Sequence, residues 1–372
     1  MFSEQFRKEI SVIEFDRRTF LKRAGVGISF CIANDTLAKD PIYLADMHRH
    51  LWFIRLQSGE ARPLGPVMAE GDATLVAWAL GTDALWITRG PLGFIQKSVP
   101  APGESFGWFQ RELARIKQHV AGQKLKAIEN ANDVKAALAG IPHVVLSTEG
   151  SFFLEDDISR VQTAYELGIR HIQLVHFTRN TVGDFQTERP EHNGLTEFGK
   201  RVISECNRLG ILVDLAHCTE RAVDEALEIS KAPVIWSHSS IASGGTPDWT
   251  MIGWKARQLT RKCAQRIARK GGVVGLWAVR VDVGNATESY AERLMAMSNQ
   301  IGEDHVGFGT DVNGDPVNDK DFMMANYVDL RKVVDYWQKK GVDDKRIRKI
   351  AIGNYARALQ GALRLRQVEK DA

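Results

Sequence analysis

Short apolar runs, many rich in β-branched residues, recur at 44–47, 85–88, 144–147, 172–175, 212–215, 234–236, 273–278 and 306–309. Between several of them, apolar positions return every three or four residues, over 104–120, 158–167, 197–209, 222–229, 261–270 and 291–301. A stripe at that spacing is one face of a helix, whereas an uninterrupted short run suits a strand covered on both sides. The Leu-Gly pairs at 167–168 and 209–210 supply helix stops. Eight runs joined by seven crossovers of roughly 37 residues each predict a parallel sheet closed into a (β/α)8 TIM barrel, class α/β. A doubly wound open sheet shows the same alternation, but no G-x-G-x-x-G turn follows the first run, which weakens a dinucleotide-binding version. The segment 124–128 reads as a ninth, weaker strand in an insertion. Residues 39–372 are therefore predicted to be one barrel domain.

The polar residues that end these runs are what carry chemistry. The first run continues as D-M-H-R-H, so His48 and His50 are two apart and share one side of an extended chain. Glu149, His176, His217, His238 and Asp311 close five other runs. In a barrel all of these lie at the C-terminal rim, where active sites are built. Imidazoles and carboxylates without thiolates are the ligand set of zinc or a similar divalent metal. One glutamate among several histidines suggests a bridge between two ions, leaving Asp311 as general acid and base. Such a centre lowers the pKa of a bound water toward about 7, so the reading is hydrolysis. His171 and His305 begin runs and belong at the opposite, stabilising end.

Composition narrows the alternatives. Charged residues are 26% of the 372, with 49 basic and 46 acidic side chains, a net +3 with no concentrated basic face. That argues against a nucleic-acid partner. No window reaches the ~18 apolar residues of a membrane span. Four cysteines form no C-x-x-C, so neither a disulfide scaffold nor a cysteine zinc site is implied. Near the start, D-R-R-T-F-L-K at 16–22 followed by an apolar stretch at 24–33 matches a twin-arginine export signal. Residues 1–38 then address the chain to the export machinery and a periplasmic or exported location, with a cleavage site at 36–38.

S-T-E-G at 147–150, G-L-T-E-F-G at 194–199, N-R-L-G-I-L-V-D-L-A-H at 207–217, K-A-P-V-I-W-S-H-S-S at 231–240, K-G-G-V-V-G at 270–275 and D-H-V-G-F-G-T-D at 304–311 together resemble the membrane dipeptidase (renal dipeptidase) family. The likeness runs from about Ala45 to Ala358. It implies an amidohydrolase-like barrel with two zinc ions that cleaves dipeptides. By motif, His48 and His50 would bind one metal, His217 and His238 the other, and Glu149 would bridge them. His176 would hold the substrate carbonyl and developing oxyanion, Asp311 would be the acid/base, and Arg257 would grip the substrate carboxylate. Dimers occur in the family, so a homodimer is a possible assembly.

This chain departs from the family pattern. The first site is His48-Arg49-His50 where the family has His-x-Asp, and Arg49 adds a cation beside it. Asn313 replaces an aspartate two residues after Asp311. A Gly-, Pro- and Trp-containing insertion separates His238 from Arg257. The leading expectation is a zinc-dependent dipeptidase acting on small peptides. The alternatives are a dipeptidase-like barrel redirected to another amide or to a secreted peptide metabolite, and a non-catalytic binding protein. The retained Glu149 and Asp311 favour an enzyme.

Overall fold

The computed structural model describes residues 40–50, 63–312, 322–324 and 326–371. The predicted leader at 1–38, its cleavage site and Asn313 lie outside them. From Ile42 onward the chain forms one compact unit. Eight barrel strands follow in order: β1 Leu44–Arg49, β2 Ala73–Gly81, β3 His143–Glu149, β4 His171–Gln173, β5 Leu212–Asp214, β6 Ile235–Ser239, β7 Val273–Leu276 and β8 Val306–Phe308. Sequential neighbours pair in parallel from β1 through β8. The ring closes where Asp311 N–H donates to the His48 carbonyl at 2.9 Å and His50 N–H to the Val312 carbonyl at 3.1 Å. All eight strands are buried along their whole length, as strands with both faces covered must be.

The second strand is not where the apolar pattern put it. Residues 84–86 make a single 3-10 turn, and Ile87–Arg89 pairs antiparallel with Phe94–Gln96 in a rim hairpin. The barrel strand is instead Ala73–Gly81, A-T-L-V-A-W-A-L-G. Its alanines give it poor intrinsic strand propensity. Burial between β1 and β3 overrides that, with Ala77 and Ala79 fully enclosed. The weaker run survives as Lys126–Ala127, an extra parallel pairing on the start of β3, outside the ring path.

The helices cover the ring by one face each. Glu197–Leu209 buries Phe198, Val202, Ile203, Cys206 and Leu209; it starts on a Thr196 side-chain cap and stops at Gly210 in the left-handed conformation. Thr219 and Thr260 cap Glu220–Ile229 and Arg261–Arg269 the same way, so three helices start on a threonine immediately beyond a loop. Inside the ring, β7 approaches β6 so closely that a Cβ at Gly275 would lie 1.9 Å from the Ser237 carbonyl oxygen. Only glycine fits there, and the contact brings the end of β6, with His238, against its neighbours. No helix among the described residues is long and apolar enough to cross a membrane. Cys206, Cys218 and Cys263 are free and buried.

Candidate metal centre

Six of the eight strand ends contribute to one buried cluster at the rim. His48 and His50 come from β1, Glu149 ends β3, His176 and His217 lie three residues past β4 and β5, and His238 sits within β6. Asp311 follows β8, held by the ring-closing hydrogen bonds. Arg257 ends the four-residue helix Gly253–Ala256 in the β6 insertion. All eight side chains are buried; Asp311 and Arg257, at 7%, are the most accessible. His217 and Asp311 both adopt positive φ, 70° and 56°, conformations rare for residues with a side chain and concentrated at functional sites. Gly150 takes φ 75° directly after Glu149, and a Cβ there would meet the His176 Cβ at 3.0 Å.

Two donor groups share Glu149: His48, His50, Glu149 and Asp311 in one, and Glu149, His217 and His238 in the other. Within each, two imidazoles turn nitrogen to nitrogen, His48 Nε2 to His50 Nε2 at 3.1 Å and His217 Nε2 to His238 Nε2 at 3.2 Å. Hydrogen bonding on the far side of the rings explains this for His50. Its Nδ1 meets the Ala79 carbonyl at 2.8 Å, and a carbonyl only accepts, so Nδ1 carries a proton and Nε2 is the nitrogen turned into the cluster. His238 Nδ1 is oriented by the Ser237 hydroxyl at 2.8 Å. The Glu149 carboxylate has His48, His217 and His238 Nε2 at 3.4, 3.4 and 3.5 Å from Oε1. Its Oε2 accepts no hydrogen bond although His50 Nε2 is 3.3 Å away. Ring nitrogens and an unsatisfied carboxylate oxygen converging in a buried space fit two divalent cations bridged by Glu149.

The electrostatics agree with that fit at His217 and His238, whereas at His48 the Glu149 and Asp311 charges outweigh burial and push the imidazole up. Burial, with Arg257 and neighbouring imidazoles, drives His217 and His238 well below the usual histidine range, so both are neutral imidazoles able to donate a lone pair. Burial opposes ionisation of Glu149, but His176, His50 and His48 outweigh it and hold the carboxylate well below its ordinary range. Burial and the nearby Glu149 charge push Asp311 up, against the pull of His48 and Arg257.

His176 belongs to neither donor group. Its Nδ1 donates to Asp83 Oδ1 at 2.6 Å while Nε2 lies 3.2 Å from Glu149 Oε1. Burial disfavours its charge, yet the two carboxylates raise it to about 9. Asp83 also accepts from Phe177 N–H at 3.1 Å and the Thr178 hydroxyl at 3.0 Å, which locks the ring. Arg257 lies over the Trp277 and Phe177 rings, 5.0 and 5.7 Å from their centroids. Its buried Nε and Nη2 make no hydrogen bond, leaving a guanidinium edge for an anion. Arg49, the cation expected beside the site, is packed over the Tyr327 ring at 4.7 Å and joins neither group.

Asp83 and Trp277 are the site residues that sequence reading missed. Asp83 sits just past β2, at the rim position where six other strands carry the clustered side chains. Taking Ala73–Gly81 as the second strand would have exposed it. Trp277 directly follows β7, the one strand whose end carries no titratable group. His171, expected at the far end, pairs through Nε2 with Asp214 Oδ2 at 3.1 Å and is absent from both donor groups.

The family described as membrane dipeptidase (peptidase family M19) matches residues 101–371. Dipeptidase tcpJ of Claviceps purpurea (strain 20.1) is 29% identical over 261 residues, 68% of this chain and 58% of that protein. Dipeptidase verJ of Clonostachys rogersoniana is 32% identical over 174 residues, 46% of this chain and 43% of that protein. The chain thus spans about half the length of the curated relatives it matches. A metallopeptidase from Rhodobacter sphaeroides, solved with a phosphinate mimic of L-Ala-D-Ala, superposes with a TM-score of 0.70 at 21% identity. The match covers 87% of this chain and 100% of that one, and shows the shared fold.

Proposed function

The chain belongs to the membrane dipeptidase family, and from that premise we propose that it is a binuclear zinc hydrolase cleaving dipeptides. The observation that carries this reading is the pairing of two donor groups on one shared glutamate with a buried, unpartnered arginine edge. His48, His50, Glu149 and Asp311 would hold one ion, and Glu149, His217 and His238 the other. Zinc suits the neutral imidazole and carboxylate donors. When bound, the pair polarises the scissile carbonyl and acidifies the attacking water.

The remaining chemistry falls to the protein. Asp311 takes the proton from the water and delivers it to the leaving amine. His176, fixed by Asp83, aims Nε2 at the centre where negative charge develops on the carbonyl oxygen. Arg257 binds the free carboxylate through its unfilled edge and so sets the peptide's register against the carbonyl. The near-complete burial of these groups keeps bulk water from competing. Metal analysis by mass spectrometry with an L,L and L,D dipeptide panel tests the reading. Two zinc ions per chain and turnover are expected, and chelation should abolish both. Stoichiometric metal without dipeptide turnover would refute it and leave the redirected hydrolase. The twin-arginine pattern at 16–22 supports the further reading that the chain is exported. Changing Arg17 and Arg18 to Lys should leave the protein in the cytoplasmic fraction.

A further inference from the structure

We propose that Asp282 is a positioning residue for the carboxylate-binding arginine, an inference that rests on the dipeptidase reading above. Asp282 lies on the short helix Arg280–Val283 that follows β7, with its side chain 4% exposed. Its carboxylate accepts the Trp277 indole N–H at 2.7 Å, Gln258 Nε2 at 3.0 Å and the Ser240 hydroxyl, with Arg293 Nη2 at 3.5 Å. Two of these donors flank Arg257 from different directions. Trp277 provides the aromatic face over which the guanidinium lies, and Gln258 is the next residue in the chain. Arg257 has no acidic side chain bonded to it, so its position rests on those aromatic faces and on its own backbone. The backbone is held where the Ser239 hydroxyl donates to the Arg257 carbonyl at 2.7 Å and Leu259 N–H to the Ser240 carbonyl at 2.9 Å. Asp282 therefore ties ring, backbone and the end of β6 to one charge while touching neither metal-donor group. Losing it tilts the indole and frees Gln258, which misplaces the guanidinium without disturbing the chemistry.

The test compares a dipeptide with its C-terminal amide, using zinc-loaded wild type, Asp282→Asn, Trp277→Phe and Arg257→Met. Asp282→Asn should raise KM for the free-carboxylate peptide about tenfold, within the range of a desolvated cation–π contact, and leave kcat and the amide's KM unchanged. Trp277→Phe keeps a ring but deletes the N–H, so it should move the same KM in the same direction by less. It also covers the case in which Asp282→Asn does not fold. Equal changes for both substrates would make Asp282 a general structural residue and overturn the proposal. So would no change in either variant while Arg257→Met separates the two substrates. If Arg257→Met itself fails to separate them, the anchor reading falls and takes the proposal with it, a failure visible in that variant alone.

Discussion

Replacing Arg257 with Met should move stability and activity in opposite directions. Arg257 is 7% exposed, and its Nε and Nη2 make no hydrogen bond. Burial lowers its pKa despite the attraction of Asp311, Glu149 and Asp214, so the surroundings disfavour the charge. An unsatisfied buried donor costs ~1–3 kcal/mol. The two ring contacts return roughly 0.5–2 kcal/mol each. Methionine fills similar space without a charge, so Arg257→Met should be neutral to about 2 kcal/mol more stable, which is a rise of up to a few degrees in Tm. Activity tells the other half. A bidentate carboxylate contact in a buried site, broken from one side, costs about 2–5 kcal/mol, or roughly 30- to 5,000-fold in kcat/KM. That loss should appear for a dipeptide and vanish for its C-terminal amide. Calorimetry and steady-state kinetics on the two substrates check both signs. A Tm several degrees lower, with equal kinetic losses on both substrates, would show that the arginine braces the fold and does not bind substrate.

Other consequences are simpler to state. Asp311→Asn should keep metal through the other donors and lower kcat by about 10²–10⁴, the range of a lost general acid/base; normal turnover would remove it from that role. Asp83→Asn places an amide against the His176 N–H and should cut kcat by about 10–100-fold with metal content intact, since outer hydrogen-bond partners tune the inner ones; unchanged kcat would refute the positioning role. Burial pushes the Cys263 thiol up to about 12 from an ordinary value of 9.0, and Cys206 and Cys218 upward too. A buried acid with a raised pKa contributes stability that is complete below its unfolded value and lost as pH rises toward the folded one. Denaturant midpoints should therefore decline from pH 9 toward 12, and none of these three thiols should react with a disulfide reagent near neutrality until the chain unfolds. Rapid labelling of native protein at Cys206, Cys218 or Cys263 would contradict the burial.

The chain's local pattern determined the kind of protein this is. Buried strands alternating with one-faced helices require a covered parallel sheet, and eight of them suit a ring. Because successive strand ends share one rim, His48, His50, Glu149, His217, His238 and Asp311 could be grouped before any coordinates, from spacing alone. Strand-end position placed His176 there too, but its role, and Arg257 altogether, came from resemblance, because no local rule gives them. What the sequence could not determine depends on contacts between distant segments. Ala73–Gly81 becomes a strand because β1 and β3 enclose it, against its own weak propensity, and only then does Asp83 arrive 2.6 Å from His176, 93 residues away. The direction of Arg49, toward Tyr327 and not into the donor groups, depends on a helix nearly 280 residues later. The unpartnered edge of Arg257 is likewise a tertiary fact, because a residue's lack of neighbours is decided by everything that folds around it.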